Sequence, residues 1–177
     1  TAQGKTIMTI EPKFVPSSGA NIKIDEMTTN IKLVDCVGFV TPDALGYQDE
    51  IGNPRMVKTP WFTEELPFME AAEIGTEKVI KDHATIGIVV TTDGSIGELS
   101  RSNYVSAEEK VITELKSINK PFIVVLNSTH PGSTETKSLA EKLHEKYNIP
   151  VIPVSVLDMT ENDITNILKE ALYEFNV

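Results

Sequence analysis

The first third of the chain alternates apolar and polar residues in short runs. Residues 14–15, 22–24 and 31–34 are rich in residue types that favour strands, and the last two runs alternate apolar with polar residues before Asp35. The connecting residues 25–30 are few and largely polar. This pattern predicts an antiparallel hairpin with one exposed face near the edge of a sheet.

After Thr85 the pattern changes to alternating strands and helices. Residues 86–90, 122–126 and 151–154 are almost continuously apolar, which is typical of parallel strands that are covered on both faces. The order of elements therefore predicts an α/β fold, with a mostly parallel sheet and one antiparallel edge strand.

Three helices have recognisable boundaries in the sequence. Ser106 and Glu109 match a capping box that would begin one helix, and Pro121 would end it. A weaker pattern predicts a helix over residues 67–83. Thr160 is placed to cap the last helix. The apolar residues of that helix follow the helical repeat: Ile164, Ile167, Leu168 and Ala171.

Composition and charge narrow the functional classes. The 177 residues fit a single domain over residues 1–177. Sixteen basic and 26 acidic residues give a formal net charge of −10, which disfavours a general attraction to nucleic-acid phosphates or anionic membranes. The single cysteine, Cys36, excludes an intrachain disulfide and fits a reducing, cytosolic compartment. No uncharged apolar run approaches the ~20 residues that a membrane-spanning helix requires.

Four polar residues directly follow predicted strands, namely Asp35, Asp93, Asn127 and Ser155. Ligands of open α/β sheets bind beyond the carboxyl ends of the strands, so these four are candidate cofactor-binding residues. The alternative is that each residue only ends its strand, and Asp93-Gly94 is also an ordinary turn sequence. For any one residue both interpretations stay open.

Asp35 and Gly38 form the pattern D-x-x-G immediately after an apolar strand. In P-loop NTPases such a carboxylate helps to hold Mg²⁺, usually through water, and the glycine N–H can face the γ-phosphate. Asp43 and Gly46 repeat the pattern, but Asp43 follows Pro42 in a loop and has no strand to orient it. The position after a strand therefore selects Asp35 as the candidate catalytic and metal-binding residue, with Gly38 as a candidate nucleotide contact.

The segment Asn127-Ser-Thr-His130 bears on the choice of nucleotide. Folds of this kind that recognise guanine carry N-K-x-D here, and the aspartate accepts hydrogen bonds from the base. Neither Ser128 nor His130 supplies that carboxylate, and a site without such a polar partner discriminates poorly. The sequence therefore disfavours GTP.

The tripeptide Gly4-Lys5-Thr6 imitates the end of a Walker A phosphate loop. No strand leads into it and no helix pattern follows it, so we reject it as a phosphate loop. Thr6 and Thr9 instead precede the predicted hairpin, where switch threonines contact Mg²⁺ and the γ-phosphate in GTPase-like domains. An ordinary hydroxyl in an extended segment is an equal alternative for each threonine.

Residues 41–67 form a long segment with four prolines, two glycines and the aromatic residues Tyr47, Trp61 and Phe62. Long loops inside a compact domain are usually functional or disordered, and the aromatic residues argue against disorder. We interpret the segment as an enlarged switch region that could also be an assembly surface, against the alternative of plain packing.

Seven blocks of sequence together resemble one known family. They include G-K-T-I-M-T at residues 4–9, L-V-D-C-V-G at residues 33–38 and T-T-D-G at residues 91–94, and they extend over almost the whole chain. The remaining blocks are residues 11–14, 59–61, 70–75 and 171–175. On these blocks the chain is similar to the N-terminal ATPase domain of the stage IV sporulation protein A family. That family resembles the translation-factor class of P-loop GTPases in fold, is associated with ATP, and polymerises into the basement layer of the spore coat.

The resemblance implies ATP and Mg²⁺ as cofactors, with Asp35 as the Walker B carboxylate and Thr9 as the sensor threonine. Thr6 is a fallback, because Ile10 stands where a second threonine often follows. The resemblance also implies self-assembly, contacts with other spore coat morphogenetic proteins and a small membrane-associated anchor, and a location at the forespore surface in the mother-cell cytoplasm. Neither nucleic-acid binding nor membrane insertion is expected.

The family's first strand and Walker A loop precede the point where this chain starts, so we expect the sheet of these residues to lack one strand and its phosphate loop. The leading hypothesis is Mg²⁺-dependent ATP hydrolysis that drives coat assembly in the intact protein, with the present residues inactive by themselves. The alternatives are a nucleotide-independent module that only self-associates, and a GTPase-like switch protein.

Overall fold

The computed structural model of the protein describes residues 13–35, 37–41, 43–49 and 51–174. The chain divides into two compact units, Thr1–Ala84 (unit 1) and Thr85–Val177 (unit 2). Strands and helices alternate in unit 2, so the predicted α/β class is confirmed. A single functional domain over residues 1–177 stays a prediction. Within the described ranges no helix is long and apolar enough to cross a membrane.

Unit 1 contains a hairpin of two long strands, β1 (Lys13–Ile24) and β2 (Met27–Asp35). The strands pair antiparallel, which confirms the predicted hairpin. The turn is shorter than predicted, because only Asp25 and Glu26 lie outside the strands. Asp25 has a φ of +52°, a left-handed conformation that tight hairpin turns require and that aspartate tolerates better than most residues.

A second hairpin lies inside the segment that was predicted to be a loop. Strands β3 (Met56–Thr59) and β4 (Phe62–Pro67) pair antiparallel around a turn at Pro60 and Trp61. The loop prediction over residues 41–67 is therefore wrong for these two strands. Pro60 lies in the turn and Pro67 ends β4. A missing N–H is tolerated at both positions, so these prolines do not exclude strands.

Helix α1 (Phe68–Lys78) follows β4 directly and continues as one π-helical turn (Val79–His83). Pro67 precedes it with a φ of −53°, so the predicted helix over residues 67–83 is confirmed. Its buried face forms a core with residues of the preceding segment. That core consists of Phe68, Ala71 and Ala72, packed against Val37, Val40, Tyr47, Val57 and Leu66. Tyr47, Val57 and Leu66 of the segment before α1 therefore serve ordinary packing, and the interpretation of the segment as a switch region stays a prediction.

Unit 2 is built on a parallel sheet in the order β5 (Gly87–Thr92), β6 (Phe122–Asn127) and β7 (Val151–Val154). The three apolar runs thus form the predicted parallel strands. The central strand β6 is buried along almost its whole length, whereas Ile88 and Val90 of β5 are exposed, so coverage on both faces is confirmed only for β6.

The expected antiparallel edge does not belong to this sheet in the part of the chain that the structure describes. There β1 and β2 form a sheet of their own, and β5 pairs only with β6. The sequence also predicted that the sheet lacks one strand, and within the described residues the outer edge of β5 has no partner strand.

Three helices of unit 2 contact the sheet. Helix α2 (Arg101–Ser117) contacts β5, α3 (Thr134–Tyr147) contacts β7, and α4 (Glu161–Tyr173) contacts β6. One apolar core lies between the sheet and α4. It consists of Ile123, Val125, Val154, Ile167 and Ala171. This packing explains the apolar spacing of the last helix in the sequence.

The starts of two helices test the predicted caps. Thr160 and Asp163 form a complete capping box at the start of α4, so that prediction is confirmed. The cap predicted at Ser106 is wrong, because Ser106 lies inside α2 and Ser100 occupies the N-cap position. Ser106 and Glu109 therefore match the capping-box sequence although they lie in the interior of the helix.

A buried ion pair joins α2 to its neighbours. The guanidinium of Arg101 lies 2.7 Å from Oε2 and 2.8 Å from Oε1 of Glu108, whose side chain is almost completely buried. Arg101 also donates to Oγ1 of Thr91 in β5, and the Tyr147 hydroxyl of α3 donates to Glu108 at 2.7 Å. Burial raises the pKa of Glu108, but the hydrogen bonds from Arg101, Thr91 and Tyr147 together hold it below its ordinary value. Burial and the bond to Glu108 raise the pKa of Tyr147 to about 12.

Glu108→Gln should destabilise the protein by about 3 kcal/mol at neutral pH, because it leaves Arg101 without its buried counter-charge. A carboxylate with a lowered pKa stabilises the fold above its unfolded pKa of ~4.3, and this stabilisation is lost as the pH falls through the folded pKa. The difference from wild type should therefore shrink below about pH 4. Chemical denaturation of both proteins at several pH values measures this difference in the free energy of unfolding.

The matched control is Glu109→Gln. Glu109 is the next residue of α2 and pairs with Lys146, but both side chains are about half exposed, so the expected loss is below ~1 kcal/mol. Equal losses for the two variants at neutral pH would contradict a structural role for the buried pair.

Candidate functional site

Three of the predicted site residues lie at the carboxyl edge of the parallel sheet in unit 2. Asp93 follows β5, Asn127 ends β6 and Ser155 follows β7. Asp35 and Gly38 lie in unit 1, at the end of β2 and three residues later. Two further predicted residues, Thr6 and Thr9, lie outside the described residues.

Asn127 connects the loops that follow the three strands. Its backbone carbonyl accepts the N–H of Asp93 at 3.3 Å, and its side-chain Oδ1 accepts the N–H of Val156 at 3.0 Å. One residue of the central strand therefore holds the loop after β5 and the loop after β7. The sequence predicted this residue but gave no indication that its amide oxygen is used inside the protein.

The Asp93 carboxylate is held by hydroxyl and backbone donors. One oxygen accepts the N–H of Ser95 at 2.9 Å as well as its hydroxyl, and the other accepts the Thr136 hydroxyl at 3.0 Å. Ser133, the N-cap of α3, donates to Thr136 and accepts its backbone N–H. We call Asp93, Ser95, Ser128, Ser133 and Thr136 the hydroxyl cluster. It fastens the loop after β5 to the start of α3.

The hydroxyl cluster keeps Asp93 ionised. Partial burial raises the pKa of this carboxyl, but hydrogen bonds from Ser128, Ser95 and Thr136 outweigh it, so the pKa lies below its ordinary value. Most of the hydrogen-bonding capacity of the carboxylate is therefore used within the protein. A role of Asp93 in holding these loops is what the geometry supports, and its role as a cofactor contact stays a prediction.

Ser128 lies inside the cluster and is completely buried. Its hydroxyl is 3.2 Å from that of Thr136 and accepts the N–H of His130 at 2.9 Å. The neighbouring N–H of Thr129 donates to the Ser95 hydroxyl. The N–H groups of Thr129 and His130 are thus satisfied by hydroxyls of the hydroxyl cluster, and the buried Ser128 cannot reach a base at the surface.

Backbone conformation also shapes this edge. Gly94 has a φ of +90°, and a Cβ at this position would lie only 2.6 Å from the backbone nitrogen of Arg101. Glycine is therefore required where the loop after β5 passes the start of α2. The turn sequence Asp93-Gly94 was visible in the sequence, whereas the close approach to α2 was not.

Ser155 begins a closed turn after β7. Its hydroxyl donates to Oδ2 of Asp158 at 2.8 Å, and its carbonyl accepts the N–H of Asp158 at 3.2 Å. The two residues between them, Val156 and Leu157, carry exposed apolar side chains. The polar groups of Ser155 and Asp158 thus brace the turn, while its surface is aliphatic.

In unit 1, Asp35 is exposed at the end of β2. Gly38 has a φ of +77°, and no atom lies within 4 Å of the position that a Cβ would occupy. An exposed carboxylate and an open glycine backbone are chemically suited to a hydrated Mg²⁺ ion and a phosphate oxygen. The residues present therefore fit the cofactors that the sequence predicted.

Thr136→Val removes a hydroxyl from the hydroxyl cluster without a large change of shape. It should cost about 1–3 kcal/mol, because Asp93 loses a donor and Ser133 loses an acceptor. The pKa of Asp93 should rise towards its ordinary value of ~3.9, so the stability difference from wild type should shrink as the pH falls below that value. Carboxyl NMR titration and thermal melts at pH 2 to 7 measure both effects.

Thr134→Val is the control, since Thr134 is exposed at the first position of the same helix. It should leave both the stability and the Asp93 titration nearly unchanged. An unchanged Asp93 pKa in Thr136→Val would show that the hydroxyl cluster does not hold this carboxylate.

Comparison with known proteins places the chain in one family. The family model described as "Stage IV sporulation protein A, ATPase domain" matches residues 1–176. Proteins named stage IV sporulation protein A from Bacillus subtilis (strain 168) and Bacillus anthracis are 56% and 54% identical over 178 residues, which is 100% of this chain. The counterpart from Clostridioides difficile (strain 630) is 53% identical over 176 residues, or 99% of the chain. The chain spans 36% of the length of each relative. Because the family model covers nearly all of its residues, the chain belongs to the ATPase-domain family of stage IV sporulation protein A.

Proposed function

We propose that this chain is the ATP-hydrolysing part of a longer sporulation protein, and that Mg²⁺-dependent hydrolysis drives self-assembly of the spore coat basement layer. The observation that carries the proposal is the match to an ATPase-domain family over residues 1–176. The exposed carboxylate of Asp35 and the open backbone at Gly38 support it, because both suit a metal–phosphate group.

Asp35 would orient water in the coordination shell of Mg²⁺, which needs few protein ligands when phosphates supply the others. The metal would neutralise charge on the phosphates during transfer. The N–H of Gly38 would contact the γ-phosphate, since its left-handed backbone leaves the Cα side open. The predicted roles of Thr9 as sensor and metal ligand, and of Thr6 as its fallback, complete this part of the proposal.

The nucleotide would be ATP rather than GTP. Recognition of guanine requires an acceptor for the N1 and N2 donors of the base. Ser128 is buried in the hydroxyl cluster, and neither Ser128 nor His130 carries a carboxylate. The segment after β6 therefore lacks the acceptor that guanine-recognising folds have at this place, which supports ATP.

The domain would belong to the P-loop GTPase-like class. The unpaired outer edge of β5, within the described residues, is where a further strand carrying the phosphate loop would add. The greater length of the relatives is compatible with a segment that supplies it. Hydrolysis would then depend on that segment as well as on the residues described here.

The assembly part of the proposal concerns surfaces of unit 1. Several large apolar side chains are exposed there: Leu45, Ile51, Met56, Phe62 and Met69. Such residues suit contacts with other copies, and the same observation favours the second candidate, a module that self-associates without nucleotide. The other proposed partners are coat morphogenetic proteins and a small membrane-associated anchor, reached from the mother-cell cytoplasm at the forespore surface.

Asp35→Asn in the full-length protein should reduce Mg²⁺-dependent ATP hydrolysis about 10- to 100-fold, the range for loss of a group that orients a metal shell. The substitution removes charge and keeps shape, so the thermal midpoint should change little. Phosphate release at saturating Mg²⁺ and ATP measures the activity, and sedimentation with and without ATP measures assembly.

Asp43→Asn is the matched control, because Asp43 begins the second D-x-x-G pattern and is also exposed. It should hydrolyse ATP like wild type. Normal hydrolysis by Asp35→Asn would refute the metal assignment. Assembly that is identical without ATP and in Asp35→Asn would favour the nucleotide-independent module.

A further inference from the structure

A groove runs along β7 in unit 2. Residues 150–153 form its floor, α3 forms one wall and α4 forms the other. We call it the β7 groove, and its volume is about 580 Å³. At about 3.3 Å per strand residue the floor is about 13 Å long, and residues 137–145 of the α3 wall extend about 12 Å. The β7 groove is therefore long enough for about two turns of an α-helix.

The floor of the β7 groove is apolar. It is lined by Pro150, Val151, Ile152 and Pro153, and the buried Ala140 of α3 adds to it. The four floor residues are only partly buried, so apolar surface stays accessible at the bottom of the groove. An occupant lowers the free energy by covering this surface with apolar side chains of its own.

The outer edge of β7 does not suit an added strand. The carbonyls of Pro150 and Val154 accept N–H groups on the side of β6. Because alternate residues of a strand bond to opposite sides, Val151 and Pro153 face the outer edge. Pro153 has no N–H, so an extended peptide could not complete a ladder there. A helix makes its backbone hydrogen bonds internally and does not need that edge.

The walls of the β7 groove are acidic. Glu141 and Glu145 lie on the α3 wall and Glu170 lies on the α4 wall, and they outnumber the basic Lys137 of the described lining. Among the described residues none of these three carboxylates forms an ion pair. They are therefore left to attract lysine or arginine side chains of an occupant.

We propose that the β7 groove is the docking site for an amphipathic helix of another protein, with apolar residues along one face and lysine or arginine residues beside them. The apolar residues cover the floor, and the cationic residues pair with the glutamates of the walls. A second copy of this chain is disfavoured as the occupant, because its formal net charge of −10 is repelled by the acidic walls. The inference stands apart from ATP hydrolysis, since the docking needs no nucleotide.

Binding of a defined peptide to the full-length protein tests the inference. A fluorescein-labelled peptide of about 14 residues, with leucines on one helical face and lysines on the other, carries the required chemistry. Wild type should bind it with a Kd of about 1–100 µM by fluorescence anisotropy. Replacing its lysines by glutamates, or its leucines by serines, should weaken binding at least about tenfold, because each change removes one of the two attractions.

Asn166→Arg tests the place of binding. Asn166 is exposed on the α4 wall, so an arginine there adds a positive charge to the groove without disturbing the core. The Kd of the leucine–lysine peptide should rise about tenfold. The matched control is Asn162→Arg, since Asn162 is exposed one turn earlier on α4 and outside the groove lining. Its Kd should stay within about twofold of wild type.

Equal affinities of the two variants would overturn the inference, because attraction to the acidic protein as a whole would then explain the binding. Equal affinities for the lysine and glutamate peptides, or no binding by wild type, would overturn it as well. A peptide in which leucine and lysine alternate favours a strand. Tighter binding of that peptide would show strand addition and would rule out the helix as the occupant.

Discussion

An ionised carboxylate at the carboxyl edge of a parallel sheet must be supplied with hydrogen bonds, and Asp93 imposes this requirement on unit 2. Its oxygens accept from Ser95 and from Thr136, which lie in the loop after β5 and at the start of α3. Thr136 is in turn held by the helix cap Ser133. Without these donors the partly buried charge would destabilise the edge, so the loop after β5 and the start of α3 are held together by it.

The hydrogen bonds that these loops make with one another also limit which groups of the edge can contact a ligand. Asn127 uses its amide oxygen to hold the turn after β7, and Ser128 is buried, so neither the Asn127 oxygen nor the Ser128 hydroxyl is left as an acceptor for a base. The turn after β7 also exposes two apolar side chains, Val156 and Leu157. Unit 1 differs from this edge. Asp35 is exposed, and no atom lies near the position that a Cβ of Gly38 would occupy, which suits a hydrated metal and a phosphate.

The sequence predicted those elements whose signals are local. The capping box at Thr160 and the apolar runs of the three parallel strands depend on near neighbours, and the structure confirms them. The hairpin of β3 and β4 was missed because its prolines were interpreted as loop signals. Ser106 was mistaken for a cap because an interior helical segment can carry the same residues. The candidate residues at strand ends were found from their position. Their hydrogen bonds were not, because Asp93 and Thr136 are 43 residues apart and no local pattern reports such a contact.

The hydrogen bonds of Asp93 and Asn127 hold the loops after β5, β6 and β7 in one arrangement, and the rest of the account depends on this. Hydrogen–deuterium exchange of the full-length protein, with and without Mg²⁺ and ATP, tests it most directly. Slow exchange is expected at the Val156 and Thr129 amides both with and without nucleotide, because these N–H groups donate to Asn127 and Ser95 within the protein. Fast exchange at those amides in the free protein would contradict the account.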